Sequence, residues 1–110
     1  MNLVASRSTL TTIYKVVFRP KAKKRFDRLD SAIQRQIAKK LKERQITPRV
    51  LGDALRKLPN CYKVKIKSRA IRLVYQVQDR VLVLLVLSIG AREGEEAYHE
   101  AAVELAKLDA

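Results

Sequence analysis

The sequence predicts an α+β domain: a small, mainly antiparallel four-stranded sheet with an N-terminal helical hairpin on one face and a C-terminal helix. Three observations carry this. Ile13–Arg19 alternates Tyr14, Val16 and Phe18 with other residues, the period of a strand. Ile33, Ile37 and Leu41 recur every four residues, the stripe of an amphipathic helix. Three extended segments then follow one another between Cys61 and Ile89, separated by gaps of two residues. Strands grouped apart from helices argue for α+β, in the order β-α-α-β-β-β-α.

The elements follow in turn. Met1–Thr12 is rich in Ser and Thr and aperiodic, so residues 1–12 are expected to be a flexible extension and residues 13–110 a single domain. Pro20 ends the first strand and suits the first turn of a helix. Lys21–Leu29 carries Ala22, Phe26 and Leu29 on one face of that helix. Ser31 and Gln34 have capping-box spacing, opening a second helix that runs to about Gln45. Ile46–Asn60, with Pro48, Gly52 and Pro59, reads as a connection containing a short turn. Strands are expected over Cys61–Lys67, Ala70–Gln78 and Val81–Ile89, turning at Ser68-Arg69 and Asp79-Arg80. Val81–Ile89 is almost wholly apolar, as befits a central strand covered on both faces. Glu93–Leu108 reads as the final helix, with acidic residues near its N-terminus.

The chain has 110 residues and a net charge of +13, which asks for an anionic partner, most simply nucleic acid. The charge is uneven: residues 1–90 carry 22 Lys+Arg against 5 Asp+Glu, whereas residues 91–110 carry 2 against 6. The acidic end is either a solvated helix or a segment folded against the basic body. One cysteine and one histidine exclude a disulfide framework and a Cys- or His-built metal cluster within the chain. No stretch resembles a signal peptide or spans a bilayer, so a cytoplasmic protein without membrane contact is expected.

The second strand alternates Tyr62, Val64 and Ile66 with Lys63, Lys65 and Lys67. A hairpin turning at Ser68-Arg69 pairs positions whose numbers sum to 137. Ile66 then faces Ile71, Val64 faces Leu73 and Tyr62 faces Tyr75, whereas a one-residue slip would set apolar against charged. This register puts Lys65 opposite Arg72, with Lys63 two residues along the same face. Like charges across a ladder cost up to about 1 kcal/mol. Three cations with no acid between them are either a solvated face or a phosphate site, where the anion relieves the repulsion. Tyr62 and Tyr75 are expected in the core, Cys61 as a small buried hydrophobe and His99 on the surface.

Leu55-Arg56-Lys57-Leu58-Pro59-Asn60-Cys61-Tyr62-Lys63-Val64-Lys65-Ile66 resembles the signature of the RelE toxin family. So do Ile71-Arg72-Leu73-Val74-Tyr75-Gln76-Val77 and Val86-Leu87-Ser88-Ile89-Gly90-Ala91-Arg92-Glu93, followed by Tyr98. The likeness covers about residues 13–108. It implies the toxin of a type II toxin-antitoxin system: a ribosome-dependent messenger-RNA endonuclease that needs no metal or cofactor and pairs with a RelB-like antitoxin. The family's catalytic set falls on Lys63, Lys65, Arg72, Arg92 and Tyr98. Ala91 departs from it, since relatives often carry a basic residue there.

The implied reaction is attack of a ribose 2′-OH on the adjacent phosphate, leaving 2′,3′-cyclic phosphate and 5′-OH ends. With no His pair, Lys63 is the candidate base, because Lys65 and Arg72 disfavour its charged form. Arg72 and Lys65 would hold the phosphate, Arg92 would sit near the leaving oxygen, and Tyr98 would stack on a base or orient the substrate. Lys21, Lys23, Lys24, Arg25, Lys39, Lys40, Lys67 and Arg69 are candidates for contact with ribosomal RNA or message. The rival readings are a ParE-like gyrase inhibitor and a non-catalytic RNA-binding module. The antitoxin is expected to be acidic or amphipathic, and the open sheet edge could accept a strand from it.

Overall fold

The structure, a computed structural model, describes residues 12–91 and 95–109. The expected N-terminal extension therefore lies almost wholly outside the described residues, as do Arg92, Glu93 and Gly94. Four strands form one sheet: β1 (Lys15–Phe18), β2 (Cys61–Ile66), β3 (Ile71–Gln78) and β4 (Val83–Ala91), in the spatial order β1-β4-β3-β2. β4 pairs parallel with β1 and antiparallel with β3, which pairs antiparallel with β2. The most apolar strand is thus central, and Leu84 through Ile89 are all buried.

The hairpin helices are α1 (Pro20–Arg28) and α2 (Ser31–Ile46). Ala22, Ile33, Ile37 and Leu41 pack with Tyr62, Val64, Leu73, Tyr75, Leu84 and Val86 on one face of the sheet. On the other face Cys61, Val74, Leu85 and Leu87 pack with Ala97 and Ala101 of α3 (Glu96–Leu108). The core therefore has two layers, and the C-terminal helix encloses the second of them.

Three local expectations are corrected. Asp30, not Ser31, caps α2: its carboxylate accepts the Ile33 amide at 3.0 Å, while Gln34 reaches back to the Phe26 carbonyl. A carboxylate there also meets the positive end of the helix dipole. The β2–β3 connection is a four-residue turn, Lys67–Ala70, with Ala70 left-handed at φ 49°. Lengthening the turn by one residue on each side leaves the register intact. Val81 and Leu82 are exposed turn residues rather than the start of β4, and Leu82 is left-handed at φ 54°.

One irregularity shapes the site. The β3–β4 register shifts between Val74, opposite Ser88, and Tyr75, opposite Val86, so Leu87 is an extra residue in β4. The bulge resets the alternation. Leu87 packs toward α3 and the next residue, Ser88, points the same way, donating to the Ala97 carbonyl at 2.6 Å. Gly90 then lies under α3, where a Cβ would come within 3.1 Å of the Ala97 backbone nitrogen. The missing side chain lets the start of α3 settle onto the strand end.

Candidate active site

The β2–β3 register is the expected one: Tyr62 faces Tyr75, Val64 faces Leu73 and Lys65 faces Arg72. Burial of Tyr62, Val64 and Ile66 against the helical hairpin turns Lys63 and Lys65 to the opposite face. Lys65 is exposed; Lys63, opposite Val74, is half-buried. Across its other edge Arg72 pairs with Gly90. That places it beside the first turn of α3, where its guanidinium lies 5.2 Å from the Tyr98 ring centroid and Nη1 donates to the Tyr98 hydroxyl. Arg72 Nε is buried and has no acceptor among the described residues.

Four of the five candidate catalytic residues are described, and the fold brings Lys65, Arg72 and Tyr98 together with Lys63 one step along β2. The fifth, Arg92, lies outside the described residues, though the preceding Ala91 pairs with Ile71, next to Arg72. Among the described residues none of Lys63, Lys65 and Arg72 forms an ion pair. Nor do three or more His, Cys, Asp or Glu side chains gather as a metal site. The arrangement can bind an anion at Lys65 and Arg72 and present an aromatic ring beside it.

The candidate docking residues divide. Lys21 pairs with Glu100 at 2.5 Å, and Arg25 bonds both Glu100 and the Ile89 carbonyl. Lys23 pairs with Asp27 and Arg69 with Asp30. Lys24, Lys39, Lys40 and Lys67 are exposed and form no ion pair among the described residues. The acidic end of the chain is therefore no free solvated helix. Its Glu104 is buried and meets Arg19 at 2.7 Å and Lys107 at 3.1 Å. The Arg19 hydrogen bond outweighs burial and holds the Glu104 carboxyl below its ordinary value. At Glu100 burial works against the charge, but Lys21 and Arg25 overcome it and lower that carboxyl too.

Cys61 is 1% exposed and burial pushes its thiol up to about 12, so it fills space as expected. His99 is exposed. Sequence reasoning missed Arg44, a buried cation on α2. It donates to the Tyr75 hydroxyl at 2.9 Å, to Asp53 at 2.7 Å and to the Lys63 carbonyl at 3.3 Å. The signal was available, since Arg44 continues the Ile33, Ile37, Leu41 stripe by three residues.

Comparison with known proteins places the chain in a family and matches its fold. The family model described as "ParE toxin of type II toxin-antitoxin system, parDE" matches residues 16–95. The mRNA interferase toxin RelE of Escherichia coli (strain K12) is 43% identical over 88 residues, covering 80% of this chain and 93% of that protein. The chain belongs to the RelE/ParE toxin family. A putative RelE-like toxin protein of Escherichia coli is likewise 43% identical over 86 residues, 78% of this chain and 90% of that one. Among solved structures, a free E. coli RelE toxin with two arginines replaced by alanine superposes with TM-score 0.79 at 40% identity. It covers 84% of this chain and 98% of that one. The intact E. coli RelBE toxin-antitoxin complex gives TM-score 0.70 at 41% identity, over 73% and 98% of the two chains. The RelE fold is thus that of this chain, with one parallel and two antiparallel strand pairs.

Proposed function

We propose that this protein is the toxin of a type II toxin-antitoxin system, a metal-independent endoribonuclease that cuts messenger RNA in the ribosomal A site. The observation that carries the reading is the Lys65–Arg72 pair with Tyr98 against it, a cationic site with no carboxylate in an ion pair to it among the described residues, in a chain 43% identical over 88 residues to an mRNA interferase. In the reaction the 2′-oxygen bonds to phosphorus and gives its proton to Lys63. The bond to the 5′-oxygen breaks, and that oxygen, its charge stabilised by Arg92 beside it, takes a proton from water to leave as a 5′-OH. Lys65 and Arg72 stabilise the charge on the phosphoryl oxygens. An incoming phosphate also gives Arg72 an acceptor for which it need not rely on Tyr98, freeing the ring to orient a base.

The partner is a RelB-like antitoxin, consistent with the RelBE complexes that share this fold. Strand addition at the sheet edge is one way for it to dock. The site of action is the cytoplasm, where ribosomes are; among the described residues no helix is long and apolar enough to cross a membrane. Inducible expression with mapping of message ends on ribosomes tests the activity. Wild type should leave 2′,3′-cyclic phosphate ends, and Arg72→Ala and Arg92→Ala should each lose at least ~100-fold in cleavage, the scale of one transition-state donor. Full cleavage by both variants at equal expression would refute the residue assignment. The family model is described for ParE toxins, so a supercoiling assay belongs beside it: inhibited gyrase with intact message would favour that rival.

A further inference from the structure

The cations of this protein fall into two groups, and the division gives a direction to the RNA. Most on the α1 side are spent internally, Arg19, Lys21 and Arg25 on Glu104 and Glu100 and Lys23 on Asp27, which leaves Lys24 and Arg28 exposed and without an ion pair among the described residues. On α2 only the buried Arg44 is paired, with Asp53, and its exposed cations form no ion pair among the described residues. Two adjoining cavities run from the candidate active site toward α2. The first, of about 370 Å³, is lined by Arg72, Lys65 and Lys67 at the β2–β3 turn. The second, of about 430 Å³, shares Lys65 and Lys67 and continues to Lys39 and Lys40 of α2. All four lysines are exposed, and among the described residues none has a carboxylate within ion-pair distance.

The turn itself is prepared for a polyanion. Asp30, the carboxylate paired across to it, is occupied by Arg69. Ser68 donates to Gln36 of α2 at 3.1 Å, tying the turn to the helix that carries Lys39 and Lys40. The one carboxylate lining the second cavity, Glu43, sits a turn beyond Lys39 and forms no ion pair with these lysines. A run of unpaired cations repels itself, and regularly spaced phosphates relieve that repulsion while releasing their counterions.

We propose that these two cavities form a phosphate track: an RNA backbone leaves Arg72 and Lys65, crosses the β2–β3 turn at Lys67 and is held by Lys39 and Lys40 on α2, not by α1. The track deepens the proposed function and rests on it for the place of the scissile phosphate. Its ligand is a phosphodiester backbone, from message or from ribosomal RNA.

The test is the salt dependence of binding by the full chain, with a uridine 12-mer bearing 2′-O-methyl groups, which 2′-OH attack cannot cut, and with message-free ribosomes. Lys39→Gln/Lys40→Gln should reduce the slope of log affinity against log salt by about 1.4 with single-stranded RNA, about 0.7 per lost phosphate contact. Lys57→Gln/Arg80→Gln, an equal charge loss at exposed positions off the track, should change it by under about 0.5. A selective effect with the 12-mer identifies message as the ligand. A selective effect confined to ribosomes identifies ribosomal RNA. Equal effects of the two double variants on both probes, or no effect of the first on either, would overturn the track. Message cut normally by wild type alongside that result would leave the activity standing. Selective slopes with uncut message would sink the activity and keep the track.

Discussion

Arg44 shows how one side chain can join the fold to the site. It sits 9% exposed beneath β2, bridging the Asp53 carboxylate, the Tyr75 hydroxyl and the Lys63 carbonyl. Tyr75 passes the network on, donating to the Pro48 carbonyl at 2.6 Å, and burial raises its pKa further from neutrality. Arg44→Met should lower unfolding stability by about 2 to 3 kcal/mol, below the roughly 3 to 5 of a fully buried pair because Asp53 is partly exposed. Denaturant unfolding measures this, and a loss under about 0.5 kcal/mol would show that the network carries no more than a surface contact. Arg44 was legible only as a position on an apolar stripe. Its three acceptors come from segments 9, 19 and 31 residues away, and no periodicity encodes such a meeting.

At the scale of elements, β2 and β3 could be read to the residue. Alternation fixes which side chains are buried, and only one register buries apolar residues on both strands, so Lys65 had to oppose Arg72. The bulge at Leu87 was not legible, because in a wholly apolar strand a one-residue shift leaves the pattern unchanged. Yet the bulge sets Gly90 under α3 and with it Tyr98 beside Arg72. What holds α3 from the other side is Glu100 and Glu104, faced by Lys21, Arg25, Arg19 and Lys107. Both carboxyls are lowered in the folded chain. Their contribution is therefore present above the unfolded glutamate value of about 4.3 and is lost as pH falls through the folded values beneath it. Amide-exchange protection of α3 should drop relative to α2 on acidification below that value, and Glu100→Gln/Glu104→Gln should abolish the difference between pH values. Protection that falls equally in both helices would show that the carboxylates do not govern docking.

For the whole molecule the governing quantity is where +13 resides. Folding the acidic end onto α1 engages Arg19, Lys21 and Arg25 there, whereas Lys65 and Lys67 at the β2–β3 turn and Lys39 and Lys40 on α2 keep no ion pair among the described residues. The candidate site holds no histidine, so its acid–base groups are lysine and arginine, poor proton movers at neutral pH. Much of the rate must then come from a substrate already aligned for in-line attack. Free RNA should accordingly be cut negligibly, and message on ribosomes rapidly, in matched end-mapping assays. Comparable rates on both would show that the protein supplies the alignment itself.

The sequence by itself determined the strands, the helical hairpin, the β2–β3 register and the family-like set Lys63, Lys65, Arg72 and Tyr98, because burial periodicity and hairpin pairing are local constraints. Only the tertiary structure decided which cations remain available and what lies against Arg72. Those depend on Glu100 and Glu104 meeting residues about eighty positions away and on α3 seating over Gly90. A charge count sees every lysine alike; an ion pair depends on which side chains the completed core brings within reach.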